Sequence, residues 1–509
     1  MTNVAKPTPD YERCQPLVRT VKDFVAGEYA VKARDAAAGS NFGGVRAGNA
    51  DRFTGGQAAL NNTTYLVKFS PDMSPIMYSQ YLQLAQTPGV TSLVFDAIVG
   101  AMFGDGFELI HDGIDDAVMR SLPPHVDSLS NYILEGIKQD VIDRVGVLVE
   151  YPTLPEGLSQ ADVEGITAST VSFGGNQILE TRLSTINGKQ ELTRVRLLTT
   201  EAYQGEDEFD TGERQVVIVL RLRRDAAGTY YTQQKYYGDG DVDPSFVKNE
   251  LLTDIVDFEP GPEIIPMMRG ERIPFIPFWV TSYECSTPLL YPLAQLEVHA
   301  YNTISQANWG MLKANTPTIF MKGISPEEAE NLAGFGGVWT AEDPQADAKV
   351  LSLPADIIQN YHNVIAETNK QLAAQGAYML AIPDNQVESA EALNTKYHGL
   401  QARVATKAAR TSECYEAAIR FAAYWTTGSE AANEITFKLK PSWSQLDIAV
   451  NELNAVADAY DKGIMTPRSV YEFLKQRNLV SETTTFEQWE GELPSPTINT
   501  NFDQTTIVE

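Results

Sequence analysis

Residues 286–323, STPLLYPLAQLEVHAYNTISQANWGMLKANTPTIFMKG, set apolar side chains at helical intervals. Leu289, Leu293, Leu296, Ala300, Ile304, Ala307 and Met311 fall three or four residues apart. That spacing predicts one apolar stripe along a helix about 37 Å long. The opposite side carries Gln295, Asn302, Gln306 and Asn308, which are polar without charge. At Thr316-Pro317 the pattern changes to a short β-like run. A second run, KVLSLP at 349–354, follows an acidic, glycine-rich insert. From Ala355 to about Gln375 the helical pattern returns, with Ile358, Tyr361, Ile365, Thr368 and Leu372 on one face. Its other face is again rich in amides: Gln359, Asn360, Asn363, Asn369 and Gln371. The loop YMLAIPDNQVE then leads to a very long helical pattern, with Ser389 suited to its N-cap and Gly428 to its end.

The rest of the chain alternates in character. Thr20 to Arg34 reads as a helix, and the Gly/Ala/Asn-rich stretch 36–62 as a mobile loop. Ser74 and Pro75 start another helix. A Thr87-Pro88-Gly89 break precedes an apolar stripe of Val90, Leu93, Val94, Ala97, Ile98 and Ala101. Residues 128–143 predict a helix that runs into a buried strand, VGVLVEYP. From Glu191, period-two alternation in LTRVRLL, RQVVIVLRLRR and TYYTQQKYY predicts a β-rich part. RIPFIPFWV reads as an edge strand broken by prolines. EITFKLK at 434–440 is one more strand, and SQLDIAVNELNAVADAYDKG with PRSVYEFLKQRNLV makes a helical tail. There is no internal repeat.

Composition sharpens this picture. The 509 residues suggest several domains. With 39 Lys+Arg against 67 Asp+Glu, the net charge is −28, which works against tight, static binding of nucleic acid but leaves loose passage of DNA open. Cys14, Cys285 and Cys414 are far apart and lack a CxxC pair, so they predict neither a disulfide framework nor a zinc site and fit a reducing cytoplasm. The polar N-terminus has no apolar signal-peptide core, and no apolar run is long enough to span a bilayer.

Catalytic patterns are absent. There is no GxSxG, GxxxxGK[ST], HExxH or strand-borne GxGxxG. FGDGF and GFGG read as glycine turns. His111, His125, His299, His362 and His398 are dispersed and read as hydrogen-bonded structural residues. DGDVDPSFVKNE places Asp239, Asp241, Asp243 and Glu250 in a calcium-loop pattern, but Pro244 occupies the position that needs a positive φ. It reads as a solvated acidic turn. The expected fold class is α+β and multi-domain.

The order of elements resembles the portal proteins of tailed double-stranded DNA bacteriophages. RVGVLVEYP, IPFIPFWV with STPLLYPLAQLEVHAYNTISQANWGMLKANTPTIFMKG, AAQGAYML and AYDKGIMTPRSVYEFLKQ carry the resemblance, over roughly residues 20–480. Segments 36–62 and 201–245 have no counterpart. The resemblance implies a wing (1–285), a first stem helix (286–313), a strand-bearing clip (314–353) and a second stem helix (354–378). A tunnel loop (379–387), a long helix with wing return (388–440) and a helical crown with C-terminal tail (441–509) would follow.

It further implies a homo-dodecameric ring at one capsid vertex of the virion, assembled in the host cytoplasm. Its partners would be double-stranded DNA in the channel, the terminase large subunit, head–tail adaptor and tail proteins, and major capsid and scaffold proteins. No membrane, cofactor, metal or catalytic residue is implied. Lys313, Lys370, Gln371, Asn385 and Gln386 are the expected channel residues. Lys322, Glu327, Glu328 and Glu330 are the expected docking residues of the clip. The alternatives are another virion subunit, which should be β-dominated, and an intracellular hydrolase using carboxylates.

Overall fold

A computed structural model of the protein describes residues 4–6, 8–40, 64–70, 73–123, 128–150, 167–186, 188–204, 211–241, 258–315, 318–322, 347–351, 355–380, 390–442, 466–476 and 486. The fold is α+β, as expected. The chain divides into two compact units, Met1–Pro441 and Ser442–Glu509. In the second unit, α10 (Pro467–Gln476) begins at Thr466, whose hydroxyl accepts from the Ser469 amide, and Tyr471 meets Phe486 edge-on at 5.4 Å.

Among the described residues of the first unit the helices are α1 (Pro9–Ala26), α2 (Glu28–Ser40), α3 (Pro75–Leu84), α4 (Val90–Phe103), α5 (Asp116–Arg120), α6 (Leu129–Ile142), α7 (Tyr291–Asn315), α8 (Ala355–Leu380) and α9 (Ala390–Thr427). The helix expected at Thr20–Arg34 is two helices. Gly27 takes a φ of +90°, accessible to glycine and hostile to other residues, and breaks the run there. Ser74 caps α3 as its sequence position predicts, and Ser128 caps α6, each hydroxyl accepting from the amide three residues on. Most of 36–62, the segment read as a loop, lies outside the described residues, but α2 extends through Ser40. Ser389 also lies outside them.

The strands form five sheets among the described residues. The largest is a meander of β4 (Ile178–Ile186), β5 (Lys189–Gln204), β6 (Thr211–Asp225), β7 (Gly228–Asp241) and β8 (Phe258–Ile264). Both of its faces are buried mid-sheet. Leu179, Leu198, Val217 and Val219 pack with Ala5 and Tyr11, while Val195, Leu197, Val216, Ile218 and Leu220 are also sealed from solvent. Asp239 and Asp241, read as part of a polar turn, continue β7.

The second sheet has β2 (Val145–Glu150) between β11 (Phe278–Val280) and β3 (Ser169–Gly174). β2 is buried along nearly its whole length, as a continuous apolar run requires, and the proline-flanked β11 is an edge. β1 (Phe107–Ile110) pairs with β14 (Thr436–Leu439), β9 (Met267–Met268) with β10 (Glu271–Arg272), and β12 (Thr318–Lys322) with β13 (Asp347–Leu351).

Two further expectations are overturned. Cys14 on α1 and Cys285 form a disulfide, their Cα atoms 6.3 Å apart across 271 residues of sequence. A pairing between such distant cysteines leaves no spacing signal, which is why the reading from sequence missed it. Leu93, assigned to the apolar stripe of α4, is 63% exposed; Thr91, Phe95, Val99 and Met102 are buried with Val94 and Ile98. This helix is apolar nearly all round, so periodicity alone does not fix which side faces the core.

Candidate interaction surface on the long helices

α7 and α8 lie side by side. Gly310 brings them close: a Cβ there would sit 2.5 Å from the Tyr361 ring carbon Cζ. Ile358, Tyr361, Ile365 and Thr368 of α8 are half-buried and Leu372 fully buried, so the predicted apolar face does lie on one side. The amides Gln359, Asn360, Asn363, Asn369 and Gln371 are all exposed. Gln359 donates to Asn363 (3.2 Å), and Gln371 donates to Glu367 (3.3 Å). α8 thus presents an outward surface that is polar and largely uncharged.

α7 behaves differently from a rod with one apolar and one amide face. Ala294, Glu297, Tyr301, Ser305 and Trp309 are buried together with Leu293, Ala300, Ile304 and Ala307. Two amides of its predicted polar side hold the chain's own backbone. Asn302 donates to the Tyr65 carbonyl and accepts from the Val67 amide, both at 2.8 Å. Asn308 donates to the Leu84 carbonyl at the end of α3 (3.3 Å). Gln295 and Gln306 remain exposed. Trp309 packs against Tyr81 and Phe69, each at 5.8 Å between ring centroids. α7 is therefore largely internal, and α8 is the helix turned outward.

Of the expected channel residues, Lys313 is exposed at the end of α7 with its ammonium 5.0 Å from the Trp309 ring centroid, a cation–π contact. Lys370 and Gln371 are neighbours on the exposed side of α8. Lys322, at the end of β12, is exposed. Asn385, Gln386, Glu327, Glu328 and Glu330 lie outside the described residues, as do His125, most of the calcium-like loop and the GFGG turn. His111 Nδ1 stands 3.2 Å from the Ile114 carbonyl, a structural role as expected. His299 and His362 are instead exposed.

A polar cleft of about 370 Å³ lies between α6, α9 and the segment before α7, lined by Asp140, Asp143, Thr281, Arg403, Lys407 and Arg410 among others. At its floor Asp140 is fully partnered, while the buried Asp143 Oδ2 accepts no hydrogen bond among the described residues. The fully buried Asp140 accepts from Thr281 (2.7 Å) and Thr411 (2.9 Å) and pairs with Lys407 (3.3 Å). Lys407 also donates to the Asp143 carbonyl (2.8 Å). Burial pushes the Asp143 carboxyl up from its ordinary value, with Arg144 and Lys407 pulling the other way. Among the described residues no three His, Cys, Asp or Glu side chains are grouped to hold a metal. No helix among them is long and apolar enough to cross a membrane. The buried role of Asp140 was not legible in sequence, because its partners come from residues 281, 407 and 411.

Residues 288–426, which contain α7, β12, β13, α8 and nearly all of α9, match a family described as a domain of unknown function, DUF4055. Among solved structures, the neck of an empty GTA particle computed with C6 symmetry is similar over 78% of this chain and 93% of that chain, at 12% sequence identity and a TM-score of 0.31. No curated protein matches.

Proposed function

We propose that this chain is a structural protein of a tailed-phage particle, and specifically a portal: a ring-forming conduit for double-stranded DNA during packaging and ejection. The observation that carries the reading is the exposed face of α8. A helix of 26 residues, about 39 Å long, leans on α7 and turns a row of uncharged amides outward. A duplex that must slide in both directions needs a lining that neither grips phosphates nor offers apolar patches, and amides meet both conditions. The antiparallel β12–β13 pair between the two helices is too small to stand alone and suits completion by strands of adjacent subunits.

In this reading the protein performs no catalysis. It assembles as a dodecamer at a capsid vertex, receives the terminase large subunit, and later holds adaptor and tail proteins, with capsid and scaffold proteins around it. The burial of α7 narrows the original expectation: α8, rather than both helices equally, lines the shared surface. Native mass spectrometry with negative-stain microscopy of the purified full chain tests this. Closed rings with a central hole are expected. A protein that stays monomeric across concentrations and salt conditions overturns the reading.

A further inference from the structure

The five-stranded sheet is electrically lopsided. Near the β4–β5 hairpin, Arg182 stands directly opposite Arg194, and Arg194 directly opposite Arg221. Three guanidinium groups therefore share one face across three adjacent strands, and Arg223 lies on that face two residues beyond Arg221. Like charges at facing positions destabilise a sheet. Two carboxylates offset part of this. Glu180 pairs with Arg194 and Arg196, and Glu263 pairs with Arg223 (2.7 Å) and lies 3.8 Å from Arg221. Among the described residues, the side chain of Arg182 on this face makes no hydrogen bond or ion pair; Arg224, which also borders the recess, leaves β6 from the opposite face. The cluster borders an open recess of about 380 Å³, where a register shift beside Arg182 brings Ser184 and Thr193 into a 3.1 Å hydrogen bond.

The opposite end of the same sheet is rich in acids. Residues 201–213, EAYQGEDEFDTGE, hold Glu201, Glu206, Asp207, Glu208, Asp210 and Glu213; Glu201 pairs with Lys235 and stands opposite Arg214, which leaves the four acids of 205–210 as the uncompensated run in the sequence. β5 and β6 end there, with Gln204 opposite Thr211. Ten residues of strand separate Gln204 from Arg194, about 33 Å. A six-residue connection anchored at both ends reaches about 12 Å at most. A chain cannot bring its own acidic hairpin tip to its own arginines.

We propose that the arginine recess receives the acidic β5–β6 connection, residues 205–210, of a second copy of this chain. The contact joins two different patches of identical subunits. Repeated head to tail, such a contact closes into a ring when the rotation fits. Opposite charges fix the register of approach and speed the encounter, and salt weakens them. An overall charge of −28 makes an acidic segment of the same chain, offered once per subunit, a better match in number than a nucleic acid repelled by the rest of the surface. The inference rests on the ring-forming reading and specifies which surfaces meet.

The test uses the full chain in two charge-reversed forms, Arg182→Glu, and Glu206→Lys with Asp207→Lys and Glu208→Lys. All these positions lie on exposed strand surface or in the hairpin connection, and circular dichroism checks that each form folds. Sedimentation at moderate salt should show that either form alone needs about tenfold more protein to assemble, while a chain carrying both sets recovers assembly. Wild-type rings whose assembly is unchanged by both reversals overturn the contact while leaving the ring reading intact. A wild type that never assembles overturns the ring reading and the contact together. Binding of a DNA duplex that is lost in Arg182→Glu with assembly unchanged assigns the arginines to nucleic acid and overturns the contact.

Discussion

The buried carboxylate of Glu297 accepts from the Gly89 amide at 2.6 Å, with its second oxygen accepting from the Thr91 amide at 2.7 Å. Gly89 precedes α4 in the left-handed region (φ +75°) and has no side chain to cap the helix. A residue 208 positions away on α7 supplies the cap instead. The negative charge also faces the positive end of the α4 dipole. Glu297→Gln keeps the shape but removes the charge and exchanges one acceptor for a donor facing an N–H. A loss of about 2 kcal/mol is expected in urea denaturation. An unchanged midpoint would mean the cap contributes nothing.

Gly310 is the point of closest approach between α7 and α8. A side chain there meets Tyr361 Cζ at 2.5 Å and the hydroxyl at 2.7 Å. Gly310→Val should cost about 1–3 kcal/mol by overpacking and push α8 outward. Adding Tyr361→Ala should recover part of the loss, because the two sites share one contact. Thermal denaturation of the single and double variants measures the coupling, and strict additivity would sink the argument.

What the sequence disclosed and what it hid divide along range of interaction. Ser74 announces its helix because a cap acts on an amide three residues away, and Ser128 and Thr466 cap theirs in the same way. β2 was visible as a continuous apolar run and β14 as an alternating one, since burial on two faces or one writes a local pattern. Glu297, Asn302 and Asp140 were not visible, because each answers groups far away in the chain. Period 3.6 places Asn302 on the polar, uncharged side of α7 with Gln295 and Gln306, and only the fold shows it holding the Tyr65–Val67 backbone. For the surface on α8, the apolar and amide sides were both readable from period 3.6. The arginine row of the sheet was also present in the alternation of Arg194, Arg196, Arg221 and Arg223, but facing pairs depend on register, which alternation alone leaves open.

Asp35 is fully buried and accepts from the Tyr65 amide (2.6 Å), the Leu66 amide (3.2 Å) and the Tyr301 hydroxyl (3.2 Å). Burial outweighs these donors and raises its pKa from 3.8 to about 7, with Asp23 adding a smaller push in the same direction. The folded chain therefore keeps a proton that the unfolded chain releases between those two values. This stabilisation is fully present below the unfolded value and is lost as pH rises through about 7. Asp35→Asn mimics the protonated form and should flatten that part of the profile. Melting temperature followed between about pH 5 and 8 for both proteins checks it. Parallel curves would show that Asp35 does not titrate in the window.

The Cys14–Cys285 bridge ties α1 to the segment just before α7 across 271 residues. In the chain-entropy account, a closed loop of that length stabilises by about 5 kcal/mol as an upper figure. Cys14→Ser and Cys285→Ser should each lower the melting temperature under oxidising conditions by a similar amount, and the double variant should lose no more than either. Under reducing conditions the wild type should approach the variants. Equal melting of oxidised and reduced wild type would argue against a contribution from the bridge.

Lys370 and Lys313 should separate a phosphate contact from a packing contact. Lys370 is on the exposed amide side of α8 and makes no hydrogen bond or ion pair among the described residues, whereas Lys313 lies over Trp309 and shares in the packing of α7 against α3. If α8 lines a DNA passage, Lys370→Glu replaces a weak phosphate contact with repulsion at every subunit of the ring, a cost that adds around the circle. Packaging of DNA into particles should fall by about tenfold or more while ring assembly and melting temperature stay unchanged, since an exposed side chain without partners carries little stability. Lys313→Glu should lower the melting temperature as well, because it removes the cation–π contact. Normal packaging in Lys370→Glu particles would remove Lys370 from the channel and leave the amide face of α8 without its proposed duplex.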